Sequence, residues 1–257
     1  MKKQKLDLFL IILLPVLAII IALIFKANFL ISTLLFFAPI SIYLSYRNKK
    51  AIKKTLLSSC VFSIPIFIIV DYIGTINGTW YVPSTIFPFR FLEILPVEDY
   101  IWGVALVYLV IMFYEHFFDK NKKESIDKRI KYFYFIFGLG LISFFSILFL
   151  KPELFYINYA YFWVGLLFIL IPVPLFLFFY PSLFTKFMKT GIYFFFFTLL
   201  LELTGVHLGQ WQFTSDQYIG WVDLFGNKLP FEEFFFFVML TAVSILSYYE
   251  FFIDDRK

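Results

Sequence analysis

Two stretches of this sequence place an acidic residue before the same pattern of neighbours. Residues 71–80 and residues 202–211 both read [DE]-x-x-G-x-x-x-G-x-W, beginning at Asp71 and Glu202 and ending at Trp80 and Trp211. A carboxyl group inside an apolar helix is costly unless it faces a cavity, pairs with a partner or stays protonated. A protonated carboxyl is a proton donor, so the doubled pattern predicts acid–base chemistry rather than helix pairing alone.

A second acidic motif follows each copy of the first. Residues 95–100 read LPVEDY, and residues 229–234 read LPFEEF. Proline suits the first position of a helix, and the acids after it complement the helix dipole. Such capping explains one acid per helix, but not two adjacent acids in both copies. Six carboxyls are therefore predicted to converge at one site as candidate catalytic residues: Asp71, Glu98, Asp99, Glu202, Glu232 and Glu233.

The environments of these acids suggest different roles. Asp71 and Glu202 lie within apolar helices, which favour the neutral, proton-donating form. Glu98 and Glu232 lie at helix starts, where the dipole favours the anion, so we expect them to stabilise a cation or act as the base.

Aromatic residues surround the acids, and an aromatic face attracts a cation most strongly where water is excluded. The expected substrate-binding residues are Trp80, Tyr81, Tyr100, Trp211, Phe213 and Phe234. We expect the other tryptophans, Trp102, Trp163 and Trp221, to form an interfacial belt.

The composition is that of an integral membrane protein. Hydrophobic residues make up 61% of the chain, 40 residues are Phe, and the mean hydropathy is +0.86. The basic residues are interleaved between apolar runs, so the formal charge of +4 does not indicate nucleic acid binding. Cys60 is the single cysteine, and His116 and His207 do not repeat, so no metal site is expected. No dinucleotide fingerprint is present, and we expect no cofactor.

Apolar runs predict an all-α polytopic fold with eight spans. Their predicted bounds are 6–25, 29–46, 55–76, 100–118, 132–150, 155–180, 191–208 and 233–252. The sixth run contains Pro172 and Pro174, which predict a kink or tilt. Two tandem repeats, 1–125 and 126–257, each hold four spans, so they run parallel and are related by a pseudo-twofold axis along the membrane normal.

The distribution of basic residues predicts the orientation. Of 22 Lys and Arg residues, all but Lys26, Arg90, Lys151 and Lys228 lie on the side of the amino terminus. Both termini are therefore expected in the cytoplasm of a bacterial or archaeal cell, with the acidic motifs near the outer face. Glu115 and Glu250, at the cytoplasmic helix ends, are expected to be solvated boundary residues.

The doubled motifs resemble those of the small integral-membrane lycopene β-cyclases. These occur as two-subunit enzymes in actinobacteria, as fused chains in archaea, and at the amino-terminal end of a bifunctional fungal enzyme. The Pro-x-Glu-[Glu/Asp] pattern of that family is matched here by Pro96 to Asp99 and by Pro230 to Glu233. The chain departs from the family in having about four spans per half instead of three, and in placing Gln212 opposite Tyr81.

The resemblance implies an isomerase that cyclises acyclic carotenoid ends, from lycopene to γ-carotene and β-carotene, by acid–base chemistry without a cofactor. It implies a carotenoid substrate and lipid as partners, and it leaves the oligomeric state open.

Two alternatives remain open from the residues alone. One is a proton-coupled transporter of parallel repeats, although transporter sites usually lie near the midplane whereas these acids cluster near one face. The other is a different carotenoid or prenyl enzyme, although the loops contain no Asp-x-x-x-Asp pair for a magnesium diphosphate.

Overall fold

A computed structural model of the chain describes residues 2–120 and 125–256. Within these ranges, eight helices are long and apolar enough to cross a membrane, which confirms the predicted all-α polytopic fold. The first four spans are built on α1 (Lys2–Phe25), α2 (Phe29–Arg47), α3 (Ile52–Ile76) and α4 (Val97–Tyr114). A π-helical turn, Glu115–Asp119, extends α4.

The second four spans contain more irregular helix. They are built on α5 (Ile130–Leu150), α6 (Ala160–Val164) with α7 (Pro172–Phe179), α8 (Phe184–His207) and α9 (Thr241–Phe252). A π-helical segment, Gly165–Leu170, joins α6 to α7, so the irregularity predicted near Pro172 takes this form. Another π-helical segment, Glu233–Leu240, precedes α9.

The seventh span begins earlier than the sequence predicts. Its helical residues start at Pro181, whereas the apolar run suggested residue 191. Lys186 and Lys189 lower the local hydropathy and so conceal the first turns of α8.

Short β-hairpins lead into the two acidic helix starts. Strands β1 (Arg90–Phe91) and β2 (Leu95–Pro96) pair antiparallel ahead of α4. Strands β3 (Trp221–Leu224) and β4 (Asn227–Pro230) form the longer hairpin of the second half. The hairpins hold both Pro-x-Glu motifs at the membrane end where α3 and α8 finish.

Hydrogen bonds join the two halves at this end. Tyr81 and Gln212, which are equivalent in the repeat, exchange both backbone N–H···O bonds, each 2.9 Å long. Such a reciprocal pair is what a pseudo-twofold axis between parallel repeats produces. Side chains add further links, because Asn77 donates to the Phe155 carbonyl at 2.8 Å and Gln210 donates to the Ala27 carbonyl at 2.7 Å.

The bounds predicted for the two repeats meet near a part of the chain that lies outside the described residues. Residues 121–124 fall in this gap, between the turn that ends α4 and the start of α5. The division into 1–125 and 126–257 therefore stays a prediction.

The opposite end of the bundle contains a buried lysine–carboxyl cluster. Glu115 and Glu250 are both 0% exposed, so the expectation that they are solvated is wrong. Lys54 Nζ lies 2.6 Å from Glu115 Oε1 and 3.2 Å from Asp254 Oδ2. The acids face the interface between the halves, where an ammonium group from another helix offsets their loss of hydration.

The cluster repeats its contacts across the pseudo-twofold axis. The Tyr249 hydroxyl donates to Glu115, and the Tyr114 hydroxyl donates to Glu250. Lys186, the counterpart of Lys54, lies 3.0 Å from Asp119. Each half thus supplies polar partners that the other half needs.

Candidate active site

Glycine gives the first motif its geometry, because the indole lies where a side chain would otherwise project. A Cβ atom at Gly74 would lie only 2.2 Å from Trp80 Cζ2, and one at Gly205 only 2.0 Å from Trp211 Cη2. The acid precedes this glycine by three residues, so it lies on the same helix face about one turn away. An indole seated on the glycine therefore points its N–H at the carboxyl.

The corresponding hydrogen bonds are present in both halves. Trp80 Nε1 donates to Asp71 Oδ1 at 3.1 Å, and Trp211 Nε1 donates to Glu202 Oε2 at 2.9 Å. The chain turns back toward the helix at the second glycine of the motif, where Gly78 has φ +66° and Gly209 has φ +65°. This left-handed backbone is readily adopted by glycine, which also explains why α3 and α8 end here.

The loops above the motifs are fastened to each other. The Tyr218 hydroxyl donates to the Thr79 carbonyl at 2.9 Å and thereby links the loop after α8 to the loop after α3. Burial raises the pKa of Tyr218 to about 12, so this hydroxyl keeps its proton at ordinary pH. The two loops thus cover the space between the motifs.

A cavity of about 220 Å³ lies beneath these loops and is lined by both halves. Four acids line it: Asp71, Asp99, Glu202 and Glu233. The rest of the wall is largely apolar, and on α3 it follows one helix face from Val70 down to Phe62. Nine residues of helix separate Phe62 from Asp71, which is roughly 13 Å. The acids therefore cap one end of a narrow apolar channel.

The acids of the first half have few hydrogen-bond partners. Asp71 accepts the Trp80 indole N–H through Oδ1, while its buried Oδ2 has no hydrogen-bond partner among the described residues. Asp99 is 7% exposed and lies close enough to Asp71 for the two carboxyls to interact electrostatically. This pair offers a buried carboxyl oxygen to whatever occupies the cavity.

The acids of the second half are connected more fully. Glu202 and Glu233 lie within hydrogen-bonding reach of each other. The Tyr161 hydroxyl donates to Glu233 Oε2, and the Trp211 indole donates to Glu202. A chain of four side chains therefore runs along this wall of the cavity.

The other two predicted acids face the loops that follow α3 and α8. Glu98 Oε1 accepts the backbone N–H groups of Ile86 at 2.7 Å and Phe87 at 2.9 Å. Glu232 Oε1 accepts the backbone N–H of Ile219 at 2.7 Å. Both glutamates are 0% exposed, and neither is among the described residues that line the cavity. The structure thus brings together four of the six predicted acids and places two as anchors of the loops.

The predicted aromatic residues divide in a similar way. Trp80, Trp211 and Phe213 line the cavity. Tyr81 is 41% exposed, and Tyr100 lies in a separate groove beside α2 and α4. Phe234 packs on Phe195 instead.

Trp102 and Tyr161 are among the cavity residues that the sequence did not predict. Trp102 was assigned to the interfacial belt, but it lines the cavity with its ring centroid 5.3 Å from that of Phe237. Tyr161 lies outside both motifs, and only its register with Phe29 in the other repeat could have indicated it. Trp163 and Trp221 are half exposed, as residues of a belt would be.

The opposite side of the pseudo-twofold axis is filled by aromatic side chains. Phe168 and Ile169 line the cavity, and their counterparts Phe36 and Phe37 are buried at 0% and 2% exposure. The ring centroid of Phe197 lies 5.9 Å from that of Phe36 and 5.3 Å from that of Phe37. The space that would mirror the cavity is therefore occupied by these rings.

Comparison with known families agrees with the doubled architecture. A family model described as Lycopene cyclase matches residues 26–117 and 158–252, together more than half of the chain. The matched segments contain three spans each, so α1 and α5 are the additional spans in each half. No curated protein and no solved structure matches the chain.

Proposed function

The chain belongs to the lycopene cyclase family, and we propose that it cyclises the acyclic ends of lycopene to β rings inside the membrane. The reaction is an isomerisation driven by acid and base, which gives γ-carotene after one ring and β-carotene after two. It requires no redox cofactor, because no electrons are gained or lost overall. The observation that carries this proposal is the set of four buried carboxyls at one end of an apolar cavity.

The apolar cavity suits a hydrocarbon substrate. Its length along α3, roughly 13 Å, is less than half of the hydrocarbon core of a bilayer. One end of a carotenoid can therefore reach the acids while the remainder of the polyene stays in apolar surroundings. A water-soluble substrate would find few polar groups below the acids.

The first chemical step needs a neutral carboxylic acid. Its O–H bond breaks, and the proton forms a C–H bond at the terminal alkene of lycopene, leaving a tertiary cation. A buried acid in apolar surroundings favours its protonated form, which makes it a suitable donor. Asp71 and Glu202 each stand beside a second acid that can restore the proton afterwards.

The second step closes the ring on the cation. The electrons of the next alkene form the new C–C bond and move the positive charge into the ring. The faces of Trp80, Trp211 and Trp102 line the same cavity and stabilise a cation without reacting with it. Excluding water matters here, since water would capture the cation as an alcohol.

The last step needs a carboxylate base. It removes a proton from the ring, and the electrons of that C–H bond become the ring double bond. The acids that line the cavity are the bases within reach, whereas Glu98 and Glu232 bind the loops. We therefore assign the acid and the base to the four cavity carboxyls and assign loop positioning to the two glutamates.

Expression in a lycopene-accumulating bacterium tests the proposal. Extracted pigments should contain carotenoids with one or two β rings, and the protein acting on preformed lycopene in heavy water should place one solvent deuteron in each ring. The matched control is the Asp71→Asn, Glu202→Gln double variant, which keeps the shape of the site but loses both proposed donors. Unchanged lycopene with well-inserted wild-type protein would contradict the proposal and favour the transporter alternative.

A further inference from the structure

The two halves of the cavity differ at one aromatic position. Phe29 and Tyr161 are equivalent in the repeat, and each packs edge-on against the tryptophan of the other half. The ring centroids of Phe29 and Trp211 are 5.7 Å apart, and those of Tyr161 and Trp80 are 5.0 Å apart. Both rings line the cavity, so the hydroxyl group of Tyr161 is a polar addition made in the second half alone.

That hydroxyl reaches the acid pair of its own half. Tyr161 donates to Glu233, which lies within hydrogen-bonding reach of Glu202, and Trp211 donates to Glu202. Two buried carboxyls this close cannot both be ionised, so the pair holds at least one proton. The donors Tyr161 and Trp211, one at each end, stabilise a single negative charge on the pair.

The first half lacks the corresponding donor. Asp71 accepts one hydrogen bond, from the Trp80 indole, and its Oδ2 atom is buried without a partner among the described residues. Phe29 has no group that could donate to Asp99. A buried carboxyl with fewer donors favours its neutral form, with the proton available to the cavity.

We propose that Tyr161 is a positioning residue that fixes the Glu202–Glu233 pair as the base of the reaction and leaves Asp71 as the acid. The proposal rests on the cyclase function and states which acid donates the proton and which accepts it. Asp71 gives its proton to the terminal alkene, and Glu233 takes the proton that the ring loses. The second pair is then fully protonated and Asp71 is anionic, so before the next turnover the pair must release one proton and Asp71 must take one up, in exchange with solvent.

The Tyr161→Phe variant separates this role from packing. It removes only the hydroxyl, and the phenylalanine ring at position 29 shows that such a ring fits against the opposing tryptophan. The matched control is Tyr193→Phe, because Tyr193 lies outside the residues that line the cavity and its hydroxyl donates to the Ile11 carbonyl at 3.0 Å. Each variant loses one hydroxyl and one hydrogen bond.

The measurement is the initial rate of ring formation by purified protein in liposomes. The substrate is lycopene with either hydrogen or deuterium at the carbon that loses its proton. Loss of a hydrogen bond to a charged group should lower the rate of Tyr161→Phe roughly 10- to 100-fold. Because proton removal becomes slower, the deuterium isotope effect should rise, whereas Tyr193→Phe should keep the wild-type rate and isotope effect.

A Tyr161→Phe rate like that of the control, or a slower rate with an unchanged isotope effect, would overturn the proposal. If this variant does not accumulate, Tyr161→His and Tyr161→Leu replace it, since histidine restores an N–H donor and leucine does not. Equal rates for that pair would also overturn it, and a faster histidine variant supports it. Inactive wild-type protein would instead refute the cyclase function itself, so the two failures are distinguishable.

Discussion

Tyr81 and Gln212 occupy the same position in the two repeats and hydrogen-bond to each other through both backbone N–H groups, at 2.9 Å in each direction. Equivalent residues can pair in this way only if the axis that relates the halves passes between them. The tryptophan motifs therefore face each other across this axis. Equivalent residues of both halves line the acid end of the cavity, and below that end the cavity extends to one side, because aromatic rings such as Phe36 fill the other.

The first prediction concerns the order of products. One cavity handles one carotenoid end at a time, so the product with one ring must leave and re-enter in the opposite direction to gain the second. A time course with limiting enzyme should show monocyclic carotenoid rising before bicyclic carotenoid. Unlabelled lycopene added during the reaction should compete for the cavity, so that labelled monocyclic product accumulates and less label reaches the bicyclic product. Bicyclic product formed from the start, without exchange, would contradict a single site.

The second prediction concerns the glycine under each indole. A methyl group at position 205 overlaps the Trp211 ring, with only 2.0 Å between the new Cβ and Cη2, so Gly205→Ala should displace the indole and break its bond to Glu202. Overpacking of this kind typically lowers stability by about 1–3 kcal/mol. The Gly138→Ala variant is the control, since nothing lies within 4 Å of a Cβ atom there. The temperature of thermal unfolding in detergent and the pigment yield should both fall for Gly205→Ala and stay unchanged for Gly138→Ala.

Much of this architecture follows from the sequence because the membrane simplifies the problem. Apolar runs must be helices where no water satisfies the backbone, so the eight spans could be predicted with small errors at their ends. The repeat placed Asp71 beside Trp80 and Glu202 beside Trp211, since a glycine one turn after the acid leaves room for an indole. Local spacing was sufficient for both contacts.

What escaped prediction depends on contacts between distant helices. Adjacent acids at a helix start point about 100° apart. Asp99 therefore reaches the cavity while Glu98 reaches the loop. The spacing of the residues does not reveal which of the two acids faces the cavity. Glu115 looked like a boundary residue because Lys54, its partner, is far away in the sequence. Tyr161 belongs to no motif and gained its contact with Glu233 only through packing.

The third prediction concerns the buried lysine–carboxyl cluster. The side chain of Lys54 is 1% exposed, whereas that of its counterpart Lys186 is 21% exposed. Lys54→Met leaves Glu115 and Asp254 buried without this ammonium, and such a loss typically lowers stability by about 3–5 kcal/mol. Lys186→Met should be milder, because the partly exposed ammonium of Lys186 is screened by water and its ion pair with Asp119 therefore contributes less. Thermal unfolding measures the stability that each variant loses. Equal losses of stability would contradict the argument from the burial of Lys54.

The fourth prediction concerns orientation. The bias of Lys and Arg toward one side places both termini in the cytoplasm and both motifs toward the outside. Reporter fusions after residue 50 and after residue 125 should be active in the cytoplasm. Fusions near residue 88 or residue 220 should report the outer face. A cytoplasmic signal from either of the last two would invert the proposed placement of the acids.

The last prediction separates the acids by their contacts. Asp71→Asn keeps an oxygen to accept the Trp80 indole N–H but has no acidic proton, so ring formation should fall at least about 10²-fold if Asp71 is the donor. Glu202→Gln should retain more activity, because its amide N–H can donate to Glu233 and keep that carboxylate ready as the base. Glu98→Gln still offers an oxygen to the N–H groups of Ile86 and Phe87, so its effect should be less than about tenfold.

The three variants are compared by pigment yield at equal amounts of inserted protein, with thermal unfolding as the check on folding. Since each replacement preserves shape, a difference in yield reports the chemistry of the carboxyl that was removed. An active Asp71→Asn beside an inactive Glu202→Gln would reverse the roles of the two pairs. An inactive but well-folded Glu98→Gln variant would mean that Glu98 itself is the acid or the base. A residue that only anchors a loop would not stop proton transfer inside the cavity when its carboxyl becomes an amide.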